Sequence, residues 1–274
     1  MDLSPRHLSR IQMPVKPLSE LLCQSAFSEA DLVQLLGLTE PRELALLRTR
    51  AVEVMAAQVG TSVYYRGLIE LSNVCACDCL YCGIRASQLG LERYTLAEDE
   101  VLEAARWCAS EGYGSVVVQA GERSDAAWVA WIEHLVRRIR AEAVSPEQPE
   151  GLGITLSLGE QSLETYCRWR AAGAHRYLLR IETTDPGLFA RIHPEGQTLE
   201  ARKQAVANLA EAGFQVGTGV MIGLPGQTLE MLARDIRYFQ AHPIDMIGMG
   251  PWLPSSGTPM ADWPPPSLPR PSSS

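Results

Sequence analysis

Two hydrophobic rhythms divide this chain. Between Leu18 and Val59 apolar positions return with helical spacing: Leu32, Leu35 and Leu36 share one face, and Leu44, Leu47 and Val52 turn inward from a helix that Pro41 begins. Ser28 is placed to cap the earlier helix, with the acidic Asp31 three residues on. Further along, short apolar runs predict strands at 67–72, 115–119, 153–157, 177–182, 215–221 and 245–249. Amphipathic stretches between them predict helices at 96–111, 126–143, 162–172, 199–212 and 229–240. Asp185-Pro186 reads as a turn that starts a helix.

Strands that alternate with helices imply a parallel sheet with right-handed crossovers. Near-continuous apolar strands suit a sheet covered by helices. The expected fold class is therefore α/β, a (βα) barrel of TIM type, incomplete, with about six βα units behind an N-terminal helical cap. Its active face lies at the carboxyl ends of the strands. The cysteine-rich loop after the first strand, Gln119 to Glu122, Glu160, Glu182 and Gly223 all fall at such ends. The expected division is a helical cap over 1–60, a barrel core over 61–260, and a Pro/Ser-rich tail over 261–274 that is disordered or polyproline-like. No helix follows the sixth strand, so that strand keeps an unpaired edge.

Composition narrows the class. Apolar residues make up 46% of the 274, enough for a sizeable core. A net charge of −8 speaks against a nucleic-acid partner and against docking on an anionic membrane. No run approaches ~20 apolar residues, so no membrane span is expected. Met1 to Pro14 carries Arg6, His7 and Arg10 without a long apolar run, unlike a secretory signal. Four of the seven cysteines fall between Cys75 and Cys82, which points to metal binding in a reducing, cytoplasmic setting. Cys23, Cys108 and Cys167 are most simply small buried apolar residues.

Cys75, Cys79 and Cys82 read C-x3-C-x2-C, with Tyr81 just before the last. Thiolates are soft ligands that favour iron–sulfur clusters or zinc. A structural zinc site wants four ligands, commonly in two separated pairs, and these cysteines are crowded for that geometry. Three thiolates can hold three irons of a 4Fe–4S cube and leave the fourth open to a ligand. Cys77 lies between ligands and reads as a spectator, with a reactive thiol as the alternative. Gly121 permits close backbone approach and Glu122 can accept a hydrogen bond, although Gly-Glu after a strand is also an ordinary turn. Arg180 and Glu182 alternate on one face of the fourth strand, either as ligand contacts or as an ion pair filling the barrel. Arg202 by itself reads as a solvated charge. Gly223-Leu224-Pro225-Gly226 is a tight turn that also shapes the strand-end pocket. His193-Pro194 reads as a satisfied loop residue, with no metal partners at the usual spacing.

The cysteine spacing resembles the signature of the radical S-adenosylmethionine (SAM) superfamily. Within it, the run Arg66 to Asn73 leading through the cysteine loop to Arg85 resembles the HydE-type maturases of FeFe-hydrogenase. So do Val118 to Glu122, Leu156 to Glu160, Arg176 to Thr183, Gly219 to Thr228 and Asp245 to Pro251. The resemblance implies a (βα)8 barrel with a 4Fe–4S cluster on the loop after strand one and reductive cleavage of SAM to a 5′-deoxyadenosyl radical. It also implies a small-molecule or iron-complex substrate on the route to the hydrogenase cofactor, other hydrogenase maturases as partners, and ferredoxin or flavodoxin as reductant. By the same resemblance Cys75, Cys79 and Cys82 are cluster ligands. Arg180, Glu182 and Arg202 match residues that hold SAM, and Gln119, Thr155 and Arg176 match positions near the substrate. Tyr81 beside the last cysteine, and Gly121, Glu122 and Gly223 at strand ends, complete the expected cofactor-binding set.

The chain departs from the family pattern at three points. Cys77 replaces a usually polar residue that is not a thiol, and Ile181 stands where the family has His. The last two βα units give way to the Pro/Ser tail, as in a truncated or frame-shifted reading frame. The alternatives are another radical SAM reaction, such as methylornithine formation, and an inactive fragment.

Overall fold

A computed structural model describes residues 15–264. Contacts divide the chain into a unit up to Thr61 and a second from Ser62. The first holds α1 (Leu18–Cys23), α2 (Glu29–Leu36) and α3 (Pro41–Val59). Ser28 and Asp31 close a reciprocal cap on α2: Ser28 Oγ accepts from Asp31 N at 3.2 Å and Asp31 Oδ2 from Ser28 N at 3.0 Å. Leu44 and Leu47 are half-buried, but Val52 is 56% exposed, against the inward placement its sequence spacing predicts. The reason is angular: the groove-lining face of α3 runs through Leu47, Ala51 and Val54, and Val52 sits a further ~100° round from Ala51.

The second unit alternates in the order β1 (Gly67–Ser72), α4 (Glu98–Ser110), β2 (Ser115–Ala120), α5 (Ala126–Glu142), β3 (Gly153–Ser157), α6 (Leu163–Ala172) and β4 (Arg176–Leu178). It continues with α7 (Pro186–Ile192), α8 (Leu199–Glu211), β5 (Gln215–Thr218), β6 (Met221–Ile222), α9 (Leu229–Ala241), β7 (Met246–Ile247) and β8 (Gly250–Pro251). Six strands form one parallel sheet in the order β1-β2-β3-β4-β5-β7, while β6 and β8 pair separately. The sheet curls on itself. Arg66 Nη1, one residue before β1, reaches Met246 Sδ of the opposite edge strand at 3.7 Å. This is the incomplete TIM-type barrel the alternation implies. Among the described residues no further strand pairs with the outer edges of β1 and β7.

Alternation along each strand builds two faces. Val116, Val118, Ile154, Leu156, Tyr177 and Val216 are buried under the helices. They meet Val101 and Leu102 of α4, Ile132 and Leu135 of α5, and Trp169 of α6 in one cluster. Each such side chain contributes about 2 kcal/mol by leaving water. Trp169 stacks on Tyr177 at 6.3 Å and donates from Nε1 to Val129 O at 3.0 Å, so its one polar atom is satisfied. The opposite face turns Val117, Gln119, Thr155, Ser157, Arg176 and Leu178 toward the lumen.

The predicted strands at 177–182, 215–221 and 245–249 are each shorter here. After Leu178 the chain leaves regular pairing. Glu182 has φ 65°, and Thr183 N donates to Ile181 O at 2.8 Å across it. That is a γ-turn of the strained, positive-φ kind. The fifth strand breaks at Gly219, where a side chain is impossible: a Cβ there would lie 1.7 Å from Gly248 O. Among the described residues no helix is long and apolar enough to cross a membrane. Most of the tail expected over 261–274 lies outside the described residues.

Candidate active site

The cysteine loop is folded by its own side chains. Asp78 accepts from Arg85 Nε at 2.8 Å and from Ser87 N at 3.0 Å, and Ala86 N donates to Cys77 O at 2.8 Å. The Arg85 guanidinium holds the Asp78 carboxyl well below the usual carboxylate range. Arg93 donates to the carbonyls of Ile84, at 2.8 Å, and Arg85, at 2.6 Å, from the far side. Asn73 fixes the strand exit, with Nδ2 donating to Glu92 O and Oδ1 accepting from Tyr94 N, both at 2.8 Å.

The end of β2 then closes on this loop. Gly121 N donates to Ser72 O at 3.0 Å and Ala76 N to Glu122 O at 2.8 Å. Such close approach requires glycine: a Cβ on Gly121 would stand 2.4 Å from Val74 O and 2.6 Å from Cys75 Cβ. Glu122 is seated the same way. Its Oε2 accepts from Glu160 N at 2.7 Å, and its side chain fills the space where a Cβ of Gly159 would otherwise lie.

Around this junction is a cavity of about 270 Å³ lined by all four clustered cysteines, Tyr81, Gln119, Gly121, Glu122, Arg180, Glu182 and Arg202. The thiols are unlike one another. Cys75 Sγ accepts from Cys77 N at 3.4 Å and Glu122 N at 3.3 Å. The adjacent Cys77 thiol, with those two amides, draws it down to about 6. Cys77 is pushed up by the same neighbour and by burial. Burial pushes the Cys79 thiol up to about 12, with Arg202 pulling the other way, and raises Cys82 as well. Among the described residues no three His, Cys, Asp or Glu side chains gather closely enough to hold a single ion.

Opposite the thiols, Arg202 is buried, donating to Glu160 from Nε and to Arg180 O from Nη1. Burial works against its charge and Glu160 overrides that, so the guanidinium stays firmly protonated. Arg180 Nε donates to Glu182 Oε1 at 2.9 Å and its Nη1 to Gly248 O at 3.2 Å. Glu182 is 6% exposed, and its second oxygen is buried without a partner. A buried carboxylate oxygen left bare costs about 1–3 kcal/mol or more, which a ligand's donor would offset. Tyr81 leans edge-on against His193, its hydroxyl 3.3 Å from Nε2. His193 Nδ1 sits 3.0 Å from Phe189 O, so Nδ1 carries the proton and Nε2 accepts from Tyr81. His193 is thus the satisfied residue its sequence context suggests.

Three residues of the expected set, Gly223, Arg176 and Thr155, stand apart from this cavity. Gly223 (φ 82°) turns the chain after β6, and the turn is braced by Gln227, whose Oε1 accepts from Gly223 N at 2.7 Å. Arg176 opens β4, so it lies at the amino end of the sheet, in a second cavity of about 550 Å³ with Tyr64, Tyr65, Arg66 and Tyr113. Thr155 pairs with Arg176 in register, and its buried hydroxyl has no partner. Sequence reasoning missed Gly159, the Glu160–Arg202 pair and the contacts that Gln197 makes with Cys77 and Cys79. Gly159-Glu160 carried a signal as a strand end and Arg202 through the resemblance, but neither their contacts nor Gln197 did.

The family model of the radical SAM superfamily matches residues 69–239. The chain belongs to that superfamily. Radical SAM proteins work with a 4Fe–4S cluster and SAM. The chain is 38% identical over 212 residues to the [FeFe] hydrogenase maturase subunit HydE of Thermotoga maritima, covering 77% of this chain and 58% of that protein. Identity to 3-methylornithine synthase of Methanosarcina acetivorans is 26% over 233 residues, 85% of this chain and 64% of that one. The chain therefore spans about three fifths of these relatives' length. Among solved structures, methylornithine synthase (PylB) superposes with a TM-score of 0.79 at 25% identity, covering 90% of this chain and 70% of that one.

The site of this radical SAM chain fits both groups. It offers three thiols in the family's spacing, a glycine-shaped approach at Gly121, and a bare carboxylate oxygen beside two arginines on the same wall.

Proposed function

We propose that this chain is a HydE-like radical SAM enzyme acting in maturation of FeFe-hydrogenase, with Cys75, Cys79 and Cys82 as ligands of a 4Fe–4S cluster. When bound, the cluster and SAM together supply one-electron cleavage of a sulfonium C–S bond to a 5′-deoxyadenosyl radical. The observation that carries the reading is convergence. Those three thiols, Glu122, Arg180, Glu182 and Arg202 come from separate segments and line one cavity at the carboxyl ends of the strands.

The residues divide the work. Arg180 and Arg202 present positive charge to a carboxylate, and Glu160 keeps Arg202 from swinging away. Glu122 and the bare oxygen of Glu182 accept from an ammonium or from ribose hydroxyls. Tyr81, locked by His193, walls the cluster side against water. Gln119 lines the same cavity, and Thr155 and Arg176 continue its lumen-facing column downward. We read that column as the substrate wall. Among the described residues Arg66 and Arg176 have no carboxylate partner, which favours an anionic substrate such as an iron complex with cyanide ligands. The finer assignments are part of the same proposal: an iron-complex or small-molecule substrate, other maturases as partners, ferredoxin or flavodoxin as electron donor, a cytoplasmic setting, and a helical cap ahead of a barrel core.

Anaerobic reconstitution tests this. We expect a brown protein with about four irons per chain that forms 5′-deoxyadenosine from SAM under dithionite. Cys79→Ala should form none. An iron-free protein, or continued product formation by that variant, would refute the assignment.

A further inference from the structure

Behind the cysteine loop lies a contact that no motif foreshadows. Gln197, in the segment that leads into α8, spans two cysteines. Its Nε2 donates to Cys77 Sγ at 2.9 Å, and its Oε1 accepts from Cys79 Sγ at 3.5 Å. Cys77 in turn donates to Glu122 Oε1 at 3.1 Å. The backbone secures Gln197 from its own side: its N–H donates to Pro194 O at 3.2 Å, and the next residue, Thr198, caps α8. The set Glu122, Cys77, Gln197 and Cys79 therefore joins the end of β2, the cysteine loop and the start of α8.

The inference rests on the reading of Cys75, Cys79 and Cys82 as cluster ligands. A ligating cysteine is a thiolate and has no proton to give. Cys79 then has no hydrogen bond to offer Gln197 Oε1, and two acceptors face each other. A carboxamide relieves this by turning end for end, since its two ends differ only in donor and acceptor character. Both ends already lie within hydrogen-bonding distance of a sulfur. Turned, the amide donates from Nε2 to the Cys79 thiolate and accepts at Oε1 from the Cys77 S–H. Cys77 has a single proton, which Cys75 Sγ and Glu122 Oε1 also compete for. Directing it to Gln197 releases Glu122 Oε1 toward the cavity.

We propose that Gln197 is a positioning residue of the cluster, whose side-chain amide donates a hydrogen bond to the Cys79 thiolate while Cys77 holds that amide in place without ligating iron. Donors onto cluster sulfur favour the more negative, reduced state and raise the reduction potential. Cys77 is thereby neither spectator nor ligand: it orients the amide.

The test uses the full chain, reconstituted anaerobically as wild type, Gln197→Leu, Gln197→Glu, Gln197→Lys and Cys77→Ala. Iron is assayed, and the cluster is titrated reductively with detection by electron paramagnetic resonance. We expect about four irons in every protein. At a fixed applied potential the reduced-to-oxidised ratio of Gln197→Leu should fall about tenfold, which is about 59 mV for a one-electron couple. Gln197→Glu, which adds a negative charge and no donor, should fall further. Gln197→Lys, which keeps a donor, should match or exceed wild type. A packing role would shift all three alike, and that result overturns the inference, as does an unchanged potential in Gln197→Leu. Should the Leu variant fail to fold, Gln197→Met, neutral and likewise without a donor, takes its place: the same fall supports the inference and an unchanged potential overturns it. Loss of iron in Cys77→Ala makes Cys77 a ligand and also overturns it. A wild type without iron removes the ligand assignment beneath it, a failure distinct from a loaded cluster indifferent to Gln197.

Discussion

Apart from the family resemblance, Arg202 shows in the sequence only a positive charge near the start of a helix. In the fold it is 6% exposed and paired with Glu160. Replacing it with Met should cost about 3 kcal/mol, because breaking a buried pair strands the remaining charge, and a urea titration reads this as a lower midpoint at unchanged slope. His193 makes a second residue-scale prediction. Burial, helped by Arg202 and opposed by the Phe189 carbonyl, draws its pKa down to about 4, below the unfolded value of about 6.5. The unfolded chain therefore binds more protons between those values. The neutral-His contribution is complete above the unfolded pKa and fades as pH falls toward the folded one. Urea midpoints should drop from about pH 7.5 to about pH 5, and His193→Phe should lessen that drop. It should not abolish it, since His175 is lowered to about 4, by burial and then by Arg176. Cys75, Cys79 and Cys82 were legible as candidate ligands because their spacing alone suggests the chemistry, and the fold brings them to one cavity. Gln197 and the pairing of Glu160 with Arg202 were not, because the partners lie 118 and 42 residues away along the chain.

Among the elements, β1 and β3 match their sequence-predicted bounds, and β2 differs by one residue. These strands are buried on one face under α4 to α6, so their apolar patterns are unambiguous. The predictions over-extended the later strands because apolar character continues where backbone pairing stops: Leu179 and Ile181 are buried, yet the chain is already turning at Glu182. Helix starts read well where a side chain caps them. Thr198 Oγ1 accepts from Ala201 N at 3.1 Å, so Thr198→Ala should cost about 1 kcal/mol, measured by thermal or urea unfolding. Because α8 carries Arg202 in its first turn, the variant should also bind SAM more weakly in calorimetric titration. Where β2 ends, Gly121→Ala should force the cysteine loop away from the strand. Iron taken up on reconstitution should then fall well below wild type while the far-ultraviolet circular dichroism stays the same.

For the molecule as a whole, the curl of the sheet leaves β1 and β7 as outer strands among the described residues. Ile247 on β7 is 52% exposed. Apolar strands with unpaired edges recruit other chains. Light scattering should therefore rise with protein concentration, and Ile247→Lys should suppress the rise. A monodisperse monomer at high concentration would contradict this. The parallel order of the sheet was legible in the alternation of strands and helices. The lumen's two separate cavities were not, since they depend on how far the sheet curls and on which residues meet across it.

The backbone at Glu182 carries one more consequence. Any side chain there resists the conformation the turn imposes, by about 1–3 kcal/mol, and glycine alone would relax into it. Glu182→Gly should thus melt at a higher temperature than the natural protein, measured without ligands, and on the proposed reading should bind SAM more weakly.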